Sequence, residues 1–225
     1  MNITVQEVSR IFGAKGAQVE ALKPCSFTIE SGEQVAIVGT SGSGKSTLLH
    51  LLGGLDRPTT GKILYNGVDL SLCSENELSE FRLRNIGFVF QSYNLLPELT
   101  AYENIILPAL LDGRKIDESY IKIIVQMLEL SNRLNHLPRQ LSGGQQQRVA
   151  IARSLTNHPQ IILCDEPTGN LDSKNRYRVI ELLKHTADKF NVILVVVTHD
   201  ASVAQLFPRT ITIEDGKIGE DNHAN

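Results

Sequence analysis

The chain has 225 residues, 41% of them hydrophobic and 21% charged, with a formal net charge of −3. That length holds one sizeable domain, or one core with a smaller inserted lobe, in a composition ordinary for a soluble globular protein. The slight acidity gives no electrostatic basis for a nucleic-acid partner, and three scattered cysteines (Cys25, Cys73, Cys164) without a CxxC pair argue against a disulfide framework or zinc site.

From the N-terminus, residues 1–7 lack both a positively charged start and an apolar core, so no signal peptide is expected. Short alternating pieces at 3–8, 25–29, 62–65 and 209–213 predict an antiparallel edge sheet. Residues 34–38 read as a buried strand that runs through a glycine-rich turn into a helix over 45–52. The β-branched, nearly charge-free runs 86–90, 161–164 and 192–197 read as further buried strands. A helix over 173–190 joins the last two as a βαβ unit. Between 92 and 158 the pattern is mainly helical, with capping-box spacing at Thr100–Glu103 and Ser142–Gln145, which predicts a helical lobe inserted between two strands of one core sheet. The tail 220–225 reads as disordered. The longest apolar runs, such as 105–111, fall far short of the ~20 residues of a bilayer span, so any membrane role is expected through a separate protein.

Gly39-Thr40-Ser41-Gly42-Ser43-Gly44-Lys45-Ser46 fits G-x-x-x-x-G-K-[ST] between a predicted strand and a predicted helix. Glycines let backbone N–H groups turn toward phosphate oxygens, and the helix start offers its positive end to the same anion. Lys45 supplies a cation for the β- and γ-phosphates, and Ser46 a hydroxyl for Mg²⁺. The bland alternative is a chance Gly/Ser turn. The run 161–164 ends in Asp165-Glu166, adjacent residues that face opposite sides of a strand and so take different tasks. Asp165 suits the surroundings of Mg²⁺ at the C-terminal edge of an open sheet, and Glu166 the polarisation of an attacking water. His199 ends another predicted strand at the same edge. It is either a γ-phosphate contact or a plain surface histidine.

Leu141-Ser142-Gly143-Gly144-Gln145 opens a second helix with two glycines in its first turn, either an ordinary capped start or a second anion site. With this run in view, the chain resembles the ATP-binding cassette family, whose signature is LSGGQ. The other motifs follow in family order. Phe12 is similar to the aromatic that stacks on adenine, where tyrosine is usual. Residues 39–47, ending in Thr47, resemble Walker A, Gln91 the Q-loop glutamine, which also reaches Mg²⁺, and 161–165 Walker B, with Glu166 as catalytic base. Asn170-Leu171-Asp172 resembles the D-loop and His199 the switch histidine.

The resemblance implies an α/β fold: a P-loop NTPase (RecA-like) core (1–91 and 159–225) with an antiparallel β edge subdomain and an inserted α-helical subdomain (92–158). It implies ATP and Mg²⁺ as ligands, and a head-to-tail dimer with each ATP between one copy's Walker A loop and the other's 142–145. It also implies a membrane permease as partner, no nucleic acid, and a place on the inner face of the cell membrane. Runs such as Gly87-Phe88-Val89-Phe90-Gln91 and Pro167-Thr168-Gly169-Asn170 resemble the lipoprotein-releasing, macrolide-efflux and antimicrobial-peptide-export branch. A module that signals through a membrane partner without moving substrate would carry the same motifs. Tyr93, Leu95, Leu96 and Leu99 either pack the helical lobe or receive a permease helix.

Overall fold

Alternation along the central strands sets the architecture. The structure, a computed structural model, describes residues 1–14 and 16–223, apart from the side chains of Ser173 and Lys174. β1 (Ile3–Phe12) pairs antiparallel with β2 (Val19–Ile29). After β3 (Gln34–Val38) and α1 (Lys45–Leu52), the chain returns to that sheet as β4 (Thr60–Tyr65) and β5 (Val68–Asp69), giving the order β2-β1-β4-β5. There follow α2 (Glu75–Asn85), β6 (Ile86–Phe90), α3 (Ala101–Leu111), α4 (Glu118–Met127), α5 (Gly143–Leu155), β7 (Ile161–Asp165), α6 (Ser173–Phe190), β8 (Ile193–Thr198), α7 (Ala201–Ala204), β9 (Arg209–Glu214) and β10 (Lys217–His223).

The larger sheet has the order β10-β9-β3-β8-β7-β6, parallel except for β10. Its central strands β3, β8 and β7 are buried on both faces, as parallel strands covered by helices must be, whereas β10 is exposed. Val35, Ile37, Leu163, Val195 and Val197 point into a core shared with α1 and the antiparallel sheet. Their neighbours Ala36, Ile162, Cys164, Leu194 and Val196 point into a second core built with α3, α4, α5 and α6. Asp165 ends β7, and Glu166 lies just past the strand with a left-handed backbone. Register then aligns the strand ends: Val38 lies opposite Thr198, and Asp165 opposite both Val197 and Phe90. Gly39, His199, Glu166 and Gln91, each just past its strand, form one row along the sheet edge.

Three expectations need correction. The piece at 209–213 belongs to the larger sheet: β9 runs parallel to β3, with Ile211 and Ile213 fully buried. Its alternation reflects the buried Arg209, whose guanidinium reaches Asp221, Glu33 and the Thr28 carbonyl. That fork also explains the second correction. Glu220 to His223 of the predicted tail lie in β10, held by Asp221 on Arg209 and by Thr212 Oγ1 on the Glu220 backbone; Ala224 and Asn225 lie outside the described residues. The third concerns α2, absent from the sequence reading: it buries only Leu78 and so shows little periodicity, although Ser74 and Glu77 close a capping box at its start.

Candidate active site

Two positions of the loop after β3 leave no room for a side chain. A Cβ on Gly39 would fall 2.1 Å from the Ile213 carbonyl oxygen. Gly44, at φ +106°, would push a Cβ to 2.3 Å from the Ala21 carbonyl. Gly44 also caps α1 without any side-chain acceptor, which leaves the donors of the first turn to an outside anion. Lys45 is buried and its ammonium donates to the Thr40 carbonyl oxygen at 2.7 Å, within the loop itself. The buried Ser43 hydroxyl has no partner among the described residues. Thr40, Ser41 and Gly42 stay exposed at the rim, and Thr47 is half-buried in the first turn of α1. Curled backbone, an uncapped helix start and one sequestered cation fit a phosphate chain.

Beside the loop, Ser46 Oγ donates to Asp165 Oδ1 at 3.1 Å. A hydroxyl and a carboxylate form a hard-oxygen pair of the kind that holds Mg²⁺ when phosphates supply further ligands. Glu166 turns the other way. Its backbone is left-handed at φ 47°, a strained state for a glutamate, and its N–H donates to the Val197 carbonyl at 3.0 Å. That twist lays the carboxylate, 17% exposed, against His199 Nδ1 at 2.8 Å, with the imidazole 67% exposed. The acid and the histidine expected at one edge therefore meet directly. Asp200, next in sequence, pairs with Arg176, and the Ser202 hydroxyl, then the Ser202 N–H and Arg176, hold its carboxyl below the usual range.

The remaining expected residues cluster elsewhere. The Gln91 amide Nε2 stands 3.5 Å from Asn170 Oδ1, and Asn170 Nδ2 donates back to the Gln91 carbonyl at 3.0 Å. Asp172 caps α6, accepting from Asn175 N at 3.0 Å and Asn175 Nδ2 at 2.7 Å. At the start of α5, Ser142 and Gln145 close a reciprocal capping box. The nearest side chains to Gly143 are Tyr93 and Leu171, and to Gly144 Asn175, so this tip abuts the Q-loop and D-loop segments of its own chain. Phe12 is 41% exposed at the turn end of the β1–β2 hairpin, paired with Val19.

Motif reading overlooked two residues that hold the segment after Gln91. Tyr93 and Asn94 both have positive φ, and Arg153 of α5 donates to their carbonyls at 2.9 and 2.6 Å. Burial pushes the Arg153 guanidinium below its ordinary pKa. The fully buried Asn104 donates to the Leu96, Leu99 and Thr100 carbonyls and accepts from Leu96 N. The signal for Asn104 was an amide on an otherwise apolar helix, Asn-Ile-Ile; Arg153 offered none beyond a basic residue amid apolar ones. Leu95 packs on the core, whereas Leu96 is 44% exposed.

Residues 22–169 match the family model described as ABC transporter. The chain is 43% identical over 218 residues to a lipoprotein-releasing system ATP-binding protein LolD from Shewanella oneidensis, covering 96% of this chain and 95% of that one. It is 49% identical over 214 residues to an uncharacterized ABC transporter ATP-binding protein from Thermotoga maritima, with 94% and 91% covered. Among solved structures, the dimeric post-hydrolysis state of the ATP-binding cassette MJ0796, bound to ADP and Pi, superposes with a TM-score of 0.89 at 41% identity over 99% of each chain. The geometry above and these matches, which span nearly the whole sequence, place the chain in the ABC transporter family, as an ATPase of that type working on ATP with Mg²⁺.

Proposed function

We infer that two copies of this chain close head to tail on two ATP molecules and drive a separate membrane permease, which releases or exports a lipoprotein or another lipophilic or peptide substrate. The observation that carries the hydrolytic part is the division of labour at the end of β7: Asp165 engages Ser46 while Glu166 engages His199. In this reading Lys45 leaves the Thr40 carbonyl for the β- and γ-phosphates, and residues 39–47 wrap them with backbone donors. Mg²⁺, when bound, neutralises developing charge on the phosphate oxygens; Ser46, Asp165 and Gln91 hold it. Glu166 orients the attacking water, and His199, fixed by that carboxylate, faces the γ-phosphate. Ser142, Gly143, Gly144 and Gln145 of the second copy complete the cage, with Asp172 at the seam, and Phe12 supports the adenine.

The finer parts rest on similarity. The LolD relative is named for lipoprotein release, and the MJ0796 structures are described as dimeric. Among the described residues no helix is long and apolar enough to cross a membrane, so the permease supplies the span and the chain sits peripherally on its cytoplasmic side. Residues 92–158 act as the helical subdomain on the core of 1–91 and 159–225. A groove of about 360 Å³, lined by Leu55, Leu83, Phe88, Phe90, Pro108 and Arg153, suits a permease helix; its Arg153 also donates to the Tyr93 and Asn94 carbonyls. The decisive variant is Glu166→Gln. It retains ATP binding and accumulates as a closed dimer by size-exclusion chromatography, while phosphate release falls by a factor on the order of 10²–10⁴. Turnover at the wild-type rate would remove Glu166 from its role.

A further inference from the structure

The edge of β1 carries an ion pair that the hydrolytic machinery leaves unexplained. The Arg10 guanidinium lies 4.5 Å from the centre of the Phe12 ring and covers one of its faces. It is gripped from behind by Asp56: Nε donates to Oδ2 at 2.8 Å and Nη2 meets Oδ1 at 2.7 Å, with both side chains about a quarter exposed. Asp56 is itself fixed, because Oδ1 also accepts from Arg57 N at 2.8 Å. The same stretch is sewn to β1 by Ile11 N donating to Thr59 Oγ1 at 3.0 Å and by the Ser9–Thr60 hydroxyl contact at 2.7 Å.

The location matters. Asp56 follows the C-terminal end of α1, the helix that opens at Lys45, and the β2 residue Ala21 lies against Gly44 of the phosphate loop. Phe12 pairs with Val19 and Ile11 with Glu20, so the ring stands just beyond the point where the hairpin touches that loop. A phenylalanine has no hydroxyl with which to anchor itself, and a ring this exposed is free to change rotamer unless something packs on it. The guanidinium does so, packing on the ring while Phe12 as a whole stays 41% exposed.

We propose that Arg10 and Asp56 form a positioning pair that holds the Phe12 ring flat and pre-oriented, so that its opposite face takes the adenine of ATP. This rests on Phe12 being the adenine platform, and adds to it the residues that set the platform's angle. Pre-ordering the ring removes an entropy cost from base stacking, and it does not touch the phosphates.

The test separates base from phosphate. Titration calorimetry measures binding of Mg-ATP and of inorganic tripolyphosphate to wild type, Arg10→Gln, Asp56→Asn and Phe12→Ala. The expected result is an ATP affinity about tenfold weaker for Phe12→Ala and about fivefold weaker for both Arg10→Gln and Asp56→Asn, with tripolyphosphate binding unchanged throughout. If Phe12→Ala weakens ATP while both pair variants bind it like wild type, the positioning role is wrong and the platform stands. If Phe12→Ala binds ATP normally, the platform reading fails and the pair's role with it. Equal loss of ATP and tripolyphosphate in the pair variants also overturns the proposal, since the pair would then shape the phosphate loop. Asp56→Asn keeps the volume of the buried end, so it remains informative should Arg10→Gln not fold.

Discussion

Two helices of this molecule begin with glycines, and their starts are finished in opposite ways. α1 opens from Gly44 with no side-chain cap, its first-turn donors left to an anion and its lysine folded onto the loop. α5 opens from Ser142 with its cap closed, each end of the box satisfying the other. The first has the uncapped donors and sequestered cation that suit a phosphate chain, all within one copy. The second is a preformed helix tip whose Ser142 and Gln145 N–H groups are engaged by its own capping box, and which sits beside Tyr93, Leu171 and Asn175. In the proposed function this contrast divides the work: nucleotide capture falls to a single copy, and the α5 tip contributes once a second copy brings it to the triphosphate.

The comparison breaks most visibly in a pair of variants. Lys45→Ala weakens nucleotide binding on the order of 100-fold, the worth of a charge-assisted contact. Ser142→Ala leaves the affinity of the single copy for ATP as it was, while abolishing ATP-dependent dimer formation and costing α5 about 1 kcal/mol of cap. Titration calorimetry and light scattering read the two. A Ser142→Ala chain that loses ATP affinity as Lys45→Ala does would erase the distinction.

A smaller effect sharpens the role of the far end of α5. Arg153→Gln removes two charge-assisted bonds to the left-handed carbonyls of Tyr93 and Asn94. It lowers stability by about 2–3 kcal/mol, a drop in Tm of about 5–10 °C for a domain of this size. An unchanged melting curve would mean that the segment is held by its leucines instead.

The smallest is a pH effect beside His199. The Asp200 carboxyl is held below its ordinary value of 3.8 by Ser202 and Arg176. A depressed folded pKa stabilises above the unfolded value, and that contribution is lost as the pH falls through the folded one. Urea midpoints of wild type and Asp200→Asn therefore differ at neutral pH and converge below 3.8; a constant gap would deny the linkage.

What could be read from sequence follows the range of the interactions. The phosphate loop, the acid pair and the capping boxes are set by residues within a few positions of one another, so their spacing announces them. The common edge of Glu166 and His199 was legible from two strand ends, but their contact depends on a left-handed backbone at Glu166. The parallel pairing of β9 with β3 joins segments some 170 residues apart, and an alternating strand with one buried arginine looks the same at a sheet edge as within the sheet. Arg153 escaped for the same reason, since its targets lie 59 and 60 residues away.

In the proposed dimer, one copy's phosphate loop and another copy's serine–glycine tip share a triphosphate. A crystal structure of Glu166→Gln grown with ATP and Mg²⁺ tests it most directly. Two nucleotides are expected, each with its phosphates in the 39–47 loop of one copy and its γ-phosphate within hydrogen-bonding distance of Ser142 Oγ from the other. Nucleotide bound in that loop with Ser142 distant from it in every assembly of the crystal would contradict the claim.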